Sequence, residues 1–385
     1  MKILALTSIR SEYDLLSSLF FKLNNDPEID LQLMVGGAHN SPSFGLTKKD
    51  IELDGFNILI NIESLLDADS KSSRLKSASI LLLSAADIVN QFSPDLIIYA
   101  GDREDVMVGA LLGGYLSIPT LHFFGGDHSL DGHIDNPLRH AVSKLSTCHF
   151  VSTQEHVMRL KALGEPSNRI HHIGSVALDK FSDIEFSGKR VNAVAGKELD
   201  RPAALFIFHP VESEVNIAAK IVSDSISALI EEGFHVFVGK PNSDYGNTDI
   251  RKAIEEIEGK TEHISVYGNL SREPFVQLFK ACKLIAGNSS AGLLEAASIP
   301  IPCINIGERQ KGRYCSDNVI FVDVDKKSVI TGIRKVQELQ FEETLKLVVN
   351  PYGDGKASER AYNLIKTIDF KSLLLKKEDP LTHGY

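Results

Sequence analysis

The first half of the chain alternates short runs of continuously apolar residues with longer stretches in which apolar residues recur every three or four positions. Unbroken apolar runs are typical of strands buried on both faces of a parallel sheet, and the longer period is that of amphipathic helices. The predicted strands are 2–7, 31–36, 96–100, 118–123, 149–152 and 170–174, and the predicted helices are 11–24, 73–92 and 106–116. The pattern therefore indicates an α/β fold with a doubly wound sheet.

The same alternation begins again after an irregular stretch of mixed charge at residues 183–201. The second set comprises strands 203–208, 235–238, 264–267 and 283–286 with helices 215–231, 249–256 and 273–281, and a last helix is predicted over 357–377. We therefore predict two Rossmann-like domains, 1–182 and 202–356, and a C-terminal helix and tail, 357–385, that packs back on the first domain. Two such domains in tandem are expected to face each other across a cleft.

Composition narrows the class of protein. The chain has 385 residues, 43% of them hydrophobic and 24% charged, with a formal net charge of −10, so general binding to nucleic acid or to an anionic membrane is not expected. Its four cysteines have no metal-ligand spacing, and neither a leader peptide nor a membrane-spanning run is visible. We expect a soluble cytoplasmic protein with free thiols.

The segment IAGNSSAGLLE, residues 285–295, predicts a buried strand, a turn and a helix with Ser289 or Ser290 as its N-cap. Free backbone N–H groups, two hydroxyls and the helix dipole would suit a phosphate or diphosphate. Glu295, about two turns into the helix, could reach a ribose, and Arg309 could neutralise the diphosphate. The alternative is an ordinary turn before a capped helix.

Two loops at predicted strand ends carry charged residues. Arg10 follows the first strand, and Asp102 and Arg103 follow the strand that ends at Ala100. Loops at the carboxyl ends of parallel strands commonly bind ligands, so these residues are candidates for catalysis or binding. The alternatives are a solvated arginine at position 10 and a helix-capping role for Asp102.

The glycine-rich loop 123–140 is the most informative stretch. Asn136 and Pro137 predict the start of a helix, with Arg139 in its first turn. The loop and the predicted helix start carry Asp127, His128, Asp131, His133 and Asp135. Carboxylates crowded beside an arginine can have pKa values far enough apart to supply both an acid and a base. A metal site and a flexible acidic loop are the alternatives.

His209 directly follows the first predicted strand of the second domain and could contact a diphosphate or transfer a proton. The alternative is a histidine that packs in the core. The motifs GDRED at 101, GGDHSLDGHIDNPLRHAVSKLS at 125, GSVALDKF at 174, HP at 209, GNSSAGLLEAASIP at 287 and NIGERQKGR at 305 stand in this order. Together they resemble the hydrolysing UDP-N-acetylglucosamine 2-epimerases of sialic-acid biosynthesis and their relatives that act on a diacetylbacillosamine nucleotide for legionaminic acid. The resemblance runs from residue 1 to about residue 365.

The resemblance implies a GT-B-like pair of domains with the nucleotide on the second. Asn288, Ser289, Ser290 and Arg309 would hold UDP together with Arg10, Arg103 and His209, and Glu295 would bind the ribose. The catalytic residues that the resemblance implies are Asp102, Asp127, Asp135, Arg139 and His209, with Asp102, Asp135 and Arg139 around C1 and C2 of the sugar.

The family reaction eliminates UDP to give a 2-acetamidoglucal and then adds water, which releases the sugar inverted at C2. For UDP-N-acetylglucosamine the products would be UDP and N-acetylmannosamine, and UDP-N,N'-diacetylbacillosamine is the alternative substrate. The resemblance implies no cofactor, no metal and no nucleic-acid or membrane partner, and a homodimer or homotetramer. A GT-B glycosyltransferase and a nucleotide-sugar sensor are the competing functions.

This chain departs from the family pattern at two places. Asp127 stands where the family usually has a glutamate. Phe124 stands where some members of the family also have a glutamate. Phe123 and Phe124 together suggest room for a less polar 6-deoxy sugar, which favours the diacetylbacillosamine alternative.

Overall fold

The computed structural model describes residues 1–68, 70–130, 133–241, 244–268, 270 and 272–379, and the chain forms two compact units. The first unit contains residues 1–128, 134–179 and 352–385, and the second contains 129–133 and 180–351.

The first unit is built on a sheet of seven parallel strands. The strands are β1 (Lys2–Thr7), β2 (Asp30–Val35), β3 (Ile58–Asn61), β4 (Leu96–Ala100), β5 (Thr120–Phe123), β6 (Cys148–Val151) and β7 (Ile170–His172). Their spatial order is β3-β2-β1-β4-β5-β6-β7, so the winding direction reverses between β1 and β4. The carboxyl edge beside such a reversal is where doubly wound sheets bind ligands.

Helices cover both faces of this sheet. They are α1 (Arg10–Asn24), α2 (Lys48–Leu53), α3 (Lys71–Phe92), α4 (Glu104–Leu116), α5 (Asp135–Leu145) and α6 (Gln154–Ala162). Ile3 and Ala5 of β1 pack into one buried cluster, and Leu4 and Leu6 pack into another on the opposite face. Burial on both faces explains why the strands are continuously apolar in sequence.

The second unit repeats this architecture with six parallel strands in the order β10-β9-β8-β11-β12-β13. The strands are β8 (Ala203–Ile207), β9 (His235–Gly239), β10 (Ile264–Tyr267), β11 (Cys282–Gly287), β12 (Cys303–Ile306) and β13 (Val319–Val322). The helices are α7 (Asp179–Asp183), α8 (Gly188–Ala195), α9 (Ala218–Glu231), α10 (Asn247–Glu258), α11 (Arg272–Ala281), α12 (Ser290–Leu294), α13 (Lys326–Val336) and α14 (Leu339–Leu347). The predicted α/β class with doubly wound sheets is confirmed.

The last helix, α15 (Ala357–Thr367), packs in the core of the first unit with Ala357, Ala361 and Ile365 buried. Its first N–H groups are bonded by the carboxylate of Asp179, at 3.0 Å from the N–H of Ala357 and 2.5 Å from that of Ser358. The helix ends at Thr367, so the prediction of a helix up to residue 377 was wrong. The tail that follows is bound instead by Arg169, which donates to the carbonyls of Leu373 and Leu375.

Sequence reasoning missed β3 and β13, each at one edge of its sheet, and the helix α8 inside the stretch taken to be irregular. The cysteines are free as predicted, with Cys148, Cys282 and Cys303 buried and Cys315 half-buried. Within the described part of the chain, no helix combines the length and the apolar character needed to cross a bilayer.

Candidate active site

The central feature of the first unit is the guanidinium of Arg139, which is buried and 3% exposed. One of its terminal nitrogens, Nη2, binds the carboxylate of Asp102, and the other, Nη1, lies 3.8 Å from Oδ2 of Asp127. A charged group this deep is stable only when it is paired with opposite charge. The structure thus brings together three of the predicted catalytic residues around one cation.

The three residues reach this cation from adjacent parts of the sheet. Asp102 follows β4, Asp127 follows the neighbouring strand β5, and Arg139 lies on α5 after the same loop. Helix α5 begins at Asp135 with Ile134 at its N-cap and no side-chain cap, so the prediction that Asn136 caps this helix was wrong. Arg139 is one turn into the helix, close to where the prediction placed it.

The loop that carries Asp102 is fixed by a residue that sequence reasoning missed. His122 on β5 is fully buried, and its Nε2–H donates to the carbonyl of Gly101 at 2.9 Å, while Nδ1 lies 3.2 Å from the hydroxyl of Ser143. Burial lowers the pKa of His122 to about 3, so the ring is neutral at physiological pH. Gly101 has φ +99°, a conformation that favours glycine and turns the chain sharply toward Asp102.

The alternative role of Asp102 as the cap of α4 was wrong, because the N-cap of this helix is Arg103.

Asp135 contacts a second arginine, Arg74. Arg74 on α3 lies 3.5 Å from Oδ1 of Asp135 and 2.6 Å from Oε2 of Glu104. Arg74 was not predicted, because a single basic residue in a long helix carries no sequence signal for a site. The predicted residues Asp135 and Asp102 thus belong to two neighbouring ion-pair groups within the unit.

The two predicted arginines at the strand ends are already paired with carboxylates. Arg10 is the first residue of α1, and it lies 3.0 Å from Asp14 and 3.1 Å from Asp50. Arg103 lies 3.8 Å from Glu104. Either arginine would have to share or exchange these partners in order to bind an anion.

Beside Arg103, the buried side chain of Asp105 lies close to the half-buried side chain of Glu12. Oε1 of Glu12 and Oδ1 of Asp105 are buried without a hydrogen-bond partner among the described residues. Burial raises the pKa of Asp105, and the negative charge of Glu104 raises it further, while Arg103 lowers it. Burial also raises the pKa of Glu12, which Asp105 reinforces. The pair therefore favours holding at least one proton.

The aromatic pair Phe123 and Phe124, at the end of β5, does not form the surface predicted for a 6-deoxy sugar. Phe123 is 1% exposed and packs in the core, with its ring 5.4 Å from the ring of Phe150. The prediction that Phe123 lines a sugar site was therefore wrong. Phe124 is partly buried against the same core and has φ +65°, which is unusual for a bulky residue and marks a constrained turn at the entrance to the loop.

In the second unit, the predicted anion-binding turn lies between β11 and α12. Ser289 is the N-cap, and its hydroxyl accepts from the N–H of Ala291 at 3.3 Å. Helix α12 spans only Ser290–Leu294, so Glu295 lies at its C-cap rather than two turns inside a longer helix. Ser290 is the first helical residue, so Ser289 is the cap of the two candidates.

Asn288 and His209 are held together by a double hydrogen bond. The side-chain oxygen of Asn288 accepts from the N–H of His209 at 2.7 Å, and its amide donates to the carbonyl of His209 at 2.8 Å. Asn288 is fully buried. Its side chain therefore fixes the loop that carries His209, which is a different role from the direct contact with UDP that was expected.

The backbone carbonyl of Asn288 in turn accepts from two side chains of the loop after β12. Nη1 of Arg309 lies 3.0 Å from this oxygen, and Nε2 of Gln310 lies 2.9 Å from it. Arg309 is thus beside the serine turn, as predicted. Gln310 is 1% exposed and was missed, since a glutamine in a polar loop carries no particular signal.

Glu295 is 4% exposed and faces Arg272, whose Nη1 lies 3.3 Å from its Oε2. The guanidinium of Arg272 lies over the rings of Phe181 and Phe275, at 5.0 and 5.7 Å from their centroids. This stacking fixes the arginine, and the arginine in turn orients the carboxylate of Glu295.

The alternative of a metal site at loop 123–140 finds no support among the described residues, where no three His, Cys, Asp or Glu side chains form a group that could hold an ion. Asp131 lies outside the described residues. His128 and His140 stack at a centroid distance of 5.4 Å, with 3.2 Å between Nδ1 of His128 and Nε2 of His140.

The two parallel sheets with flanking helices define a GT-B-like α/β protein. A crystal structure of UDP-N-acetylglucosamine 2-epimerase from Neisseria meningitidis bound to UDP-N-acetylglucosamine has a similar fold. Its TM-score is 0.82, at 18% identity, over 96% of this chain and 100% of that chain. At this identity the likeness concerns the fold alone.

Sequence comparison gives the family. Residues 21–366 match the family described as UDP-N-acetylglucosamine 2-epimerase, so the chain belongs to that family. It is 34% identical over 98% of both chains to the hydrolysing UDP-N,N'-diacetylbacillosamine 2-epimerase of Legionella pneumophila. It is also 33% identical over 89% of both chains to the hydrolysing GDP/UDP-N,N'-diacetylbacillosamine 2-epimerase of Campylobacter jejuni. The resemblance noted in the sequence motifs is confirmed.

The buried acid Asp105 yields a prediction for pH and stability. Because its pKa is raised by folding, the folded protein loses stability relative to the unfolded chain as the pH rises from about 4 through that raised pKa. Asp105→Asn cannot ionise and escapes this loss. We expect the free energy of unfolding of the variant, minus that of the wild type, to increase between pH 4.5 and pH 8 by up to about 1.4 kcal/mol for each unit by which the pKa is raised, since part of the loss occurs below pH 4.5.

Urea denaturation of both proteins across this pH range measures the difference. Asp87→Asn, at an exposed position on α3, controls for the change in net charge. A difference that stays constant or decreases as the pH rises would show that Asp105 is ionised in the folded protein.

Proposed function

We propose that the protein is a hydrolysing nucleotide-sugar 2-epimerase that releases UDP and a free 2-acetamido sugar inverted at C2. The observation that supports this most strongly is the pairing of buried Arg139 with buried Asp127 and half-buried Asp102 at adjacent strand ends, in a chain that belongs to the 2-epimerase family. This group offers carboxylates in a fixed, largely water-excluded setting, which the proposed chemistry needs.

The chemistry follows from the sugar. The hydrogen on C2 is not acidic, so the bond between C1 and the diphosphate oxygen must weaken early, with positive charge developing on the ring. Loss of the C2 proton then gives a 2-acetamidoglucal, and addition of water to its double bond gives the free sugar with a new configuration at C2. Carboxylates stabilise the positive charge on the ring, and N–H donors and arginines stabilise the charge on the leaving diphosphate.

The residues of the first unit would act on the sugar. Asp102 and Asp127 share Arg139, so ionisation of both is less costly than it would be for two isolated buried carboxylates. One of them, or Asp135, would take the proton from C2, and another would deliver or remove a proton during the addition of water. Arg139 would then hold the carboxylates at a fixed separation through both steps.

The residues of the second unit would hold the nucleotide. The N–H groups and hydroxyls at Ser289 and Ser290 with the guanidinium of Arg309 would bind the diphosphate. The double hydrogen bond from Asn288 would fix His209 for contact with the diphosphate or for proton transfer. Glu295, oriented by Arg272, would accept from the ribose hydroxyls.

Arg10 and Arg103 are proposed to add positive charge near the diphosphate. We propose a homodimer or homotetramer on the basis of the family resemblance, and a cytoplasmic location on the basis of the free cysteines.

Two sugars are candidates for the substrate. UDP-N-acetylglucosamine agrees with the description of the family that the chain matches. UDP-N,N'-diacetylbacillosamine is favoured by a specific observation, since the relatives from Legionella pneumophila and Campylobacter jejuni, at 34% and 33% identity, are both named for that sugar. The reaction is the same for both, so the choice concerns only the substituents at C4 and C6.

Proton NMR of the protein with each UDP-sugar in heavy water tests the reaction and the substrate together. We expect UDP and a free sugar inverted at C2, with deuterium at C2, because the C2 proton is lost and replaced from solvent. The substrate with the higher kcat/KM identifies the sugar. Release of UDP only when a sugar acceptor is added would favour a glycosyltransferase, and binding without turnover of either sugar would favour a sensor.

The role of Arg309 can be tested by binding alone. Arg309→Ala should weaken binding of UDP by roughly 1.5–3 kcal/mol, the usual cost of losing a charge-assisted hydrogen bond. Isothermal titration calorimetry with UDP measures this directly. Arg334→Ala removes an exposed arginine of α13, in the same unit, that pairs with Glu232, and it should leave the affinity unchanged. An Arg309→Ala protein that binds UDP as tightly as the wild type would exclude the proposed diphosphate site.

A further inference from the structure

Helix α6, which follows β6, supports the loop that carries Asp127. Gly126 has φ +81°, and a Cβ atom built on it would lie 2.5 Å from the carbonyl oxygen of His156 on α6. The backbone of the loop therefore rests directly against the backbone of the helix. Arg159, one turn further along α6, donates to the carbonyl of Gly126 and fixes the loop a second time. The position of Asp127 is thus set by α6 as well as by β5.

The side chain of His156 extends this support to the carboxylate itself. The ring is 2% exposed, and its Nε2 lies 3.6 Å from Oδ1 of Asp127. Its other nitrogen, Nδ1, is buried without a hydrogen-bond partner among the described residues. A buried N–H with no acceptor is unfavourable, so the N–H of this imidazole is favoured at Nε2, where it faces the carboxylate, over Nδ1.

Asp127 is consequently held from more than one side. Its Oδ1 accepts from the N–H of His128 at 2.8 Å and faces the Nε2–H of His156, and its Oδ2 faces Arg139 at 3.8 Å. The hydrogen bond from His128 and the approach of His156 and Arg139 to opposite oxygens restrict the plane of the carboxylate as well as its position. A carboxylate that removes or delivers a proton needs its lone pairs aimed at one atom, and this orientation is what the contacts provide.

We propose that His156 is a positioning residue that orients the Asp127 carboxylate for proton transfer, with Arg159 securing the loop beneath it. This inference rests on the proposed function, in which Asp127 takes part in the reaction. His156 lies on a helix after β6 and belongs to none of the motifs on which the family resemblance was based. The ring also packs at a centroid distance of 6.1 Å from Tyr352, which limits its rotation.

Kinetics of two variants test this role. His156→Leu removes the Nε2–H and should lower kcat by roughly 10- to 100-fold while leaving KM nearly unchanged, because the orientation of a reacting group matters more in the transition state than in binding. His156→Gln keeps an N–H of similar reach and should recover most of kcat. A purely structural histidine would not distinguish leucine from glutamine in this way.

Controls separate the proposed role from loss of structure. His172→Leu replaces an exposed histidine at the end of β7 and should leave kcat within about twofold of the wild type. The affinity for UDP, measured by calorimetry, should be the same in every variant. If His156→Leu does not fold, His156→Asn replaces it in the comparison, because its amide is too short to reach Asp127 as glutamine does.

An unchanged kcat in His156→Leu would overturn the inference, and so would an equal loss in the leucine and glutamine variants. Crystal structures of the variants test the orientation of Asp127 without reference to the reaction. We expect the carboxylate to rotate away from Arg139 in His156→Leu and to keep its place in His156→Gln. If the wild type has no 2-epimerase activity, the proposed function is wrong, but the crystal structures still show whether His156 orients Asp127. A carboxylate that does not move in His156→Leu would refute the positioning role of His156.

Discussion

The candidate site of the first unit depends on the pairing of one buried guanidinium with two carboxylates. At 3% exposure the guanidinium of Arg139 is costly to bury, and the carboxylates of Asp102 and Asp127 compensate its charge. Arg139 in turn reduces the repulsion between the two carboxylates, of which Asp127 is buried and Asp102 is half-buried. The doubly wound sheet makes the pairing possible because it brings the ends of β4 and β5 side by side. Neutral His122 then fixes the loop of Asp102 through the carbonyl of Gly101, so that one partner of the arginine is anchored to the sheet itself.

The second unit uses hydrogen bonds to backbone groups for the same purpose. The side-chain amide of Asn288 accepts from the N–H of His209 and donates to the carbonyl of His209. The backbone carbonyl of Asn288 accepts from the side chains of Arg309 and Gln310. Three loops at the carboxyl edge of this sheet are thereby joined at one residue. The close approach of Gly287 to β8, where a Cβ atom would lie 2.0 Å from the carbonyl oxygen of Ile207, brings Asn288 within reach. A rigid edge of this kind suits a site that must hold an anion while a bond to it breaks.

Most of the fold could be predicted from the sequence, because strands buried on both faces are continuously apolar and their burial leaves a direct trace. The edge strands β3 and β13 escaped because they are only partly buried and carry a weaker pattern. The charged residues Asp102, Asp127 and Arg139 were visible as motifs at strand ends. Three supporting residues were not visible: His122, which fixes the loop of Asp102, His156, which lies beside Asp127, and Arg74, which pairs with Asp135. Each lies within a regular element and contacts the site only through tertiary packing. The prediction for Phe123 was wrong because an aromatic residue next to a glycine-rich loop can belong either to the core or to a pocket, and the sequence pattern is the same in both cases.

The central claim is that Asp102 and Asp127 act as one unit through their shared arginine. A double-mutant cycle measures this most directly, with kcat determined for Asp102→Asn, Asp127→Asn and the combined variant on the preferred UDP-sugar. Residues that function as a unit lose most of their effect with the first substitution, so the combined variant should be about as slow as the slower single variant. If the two losses in kcat multiply instead, the carboxylates act independently and the shared arginine does not couple them.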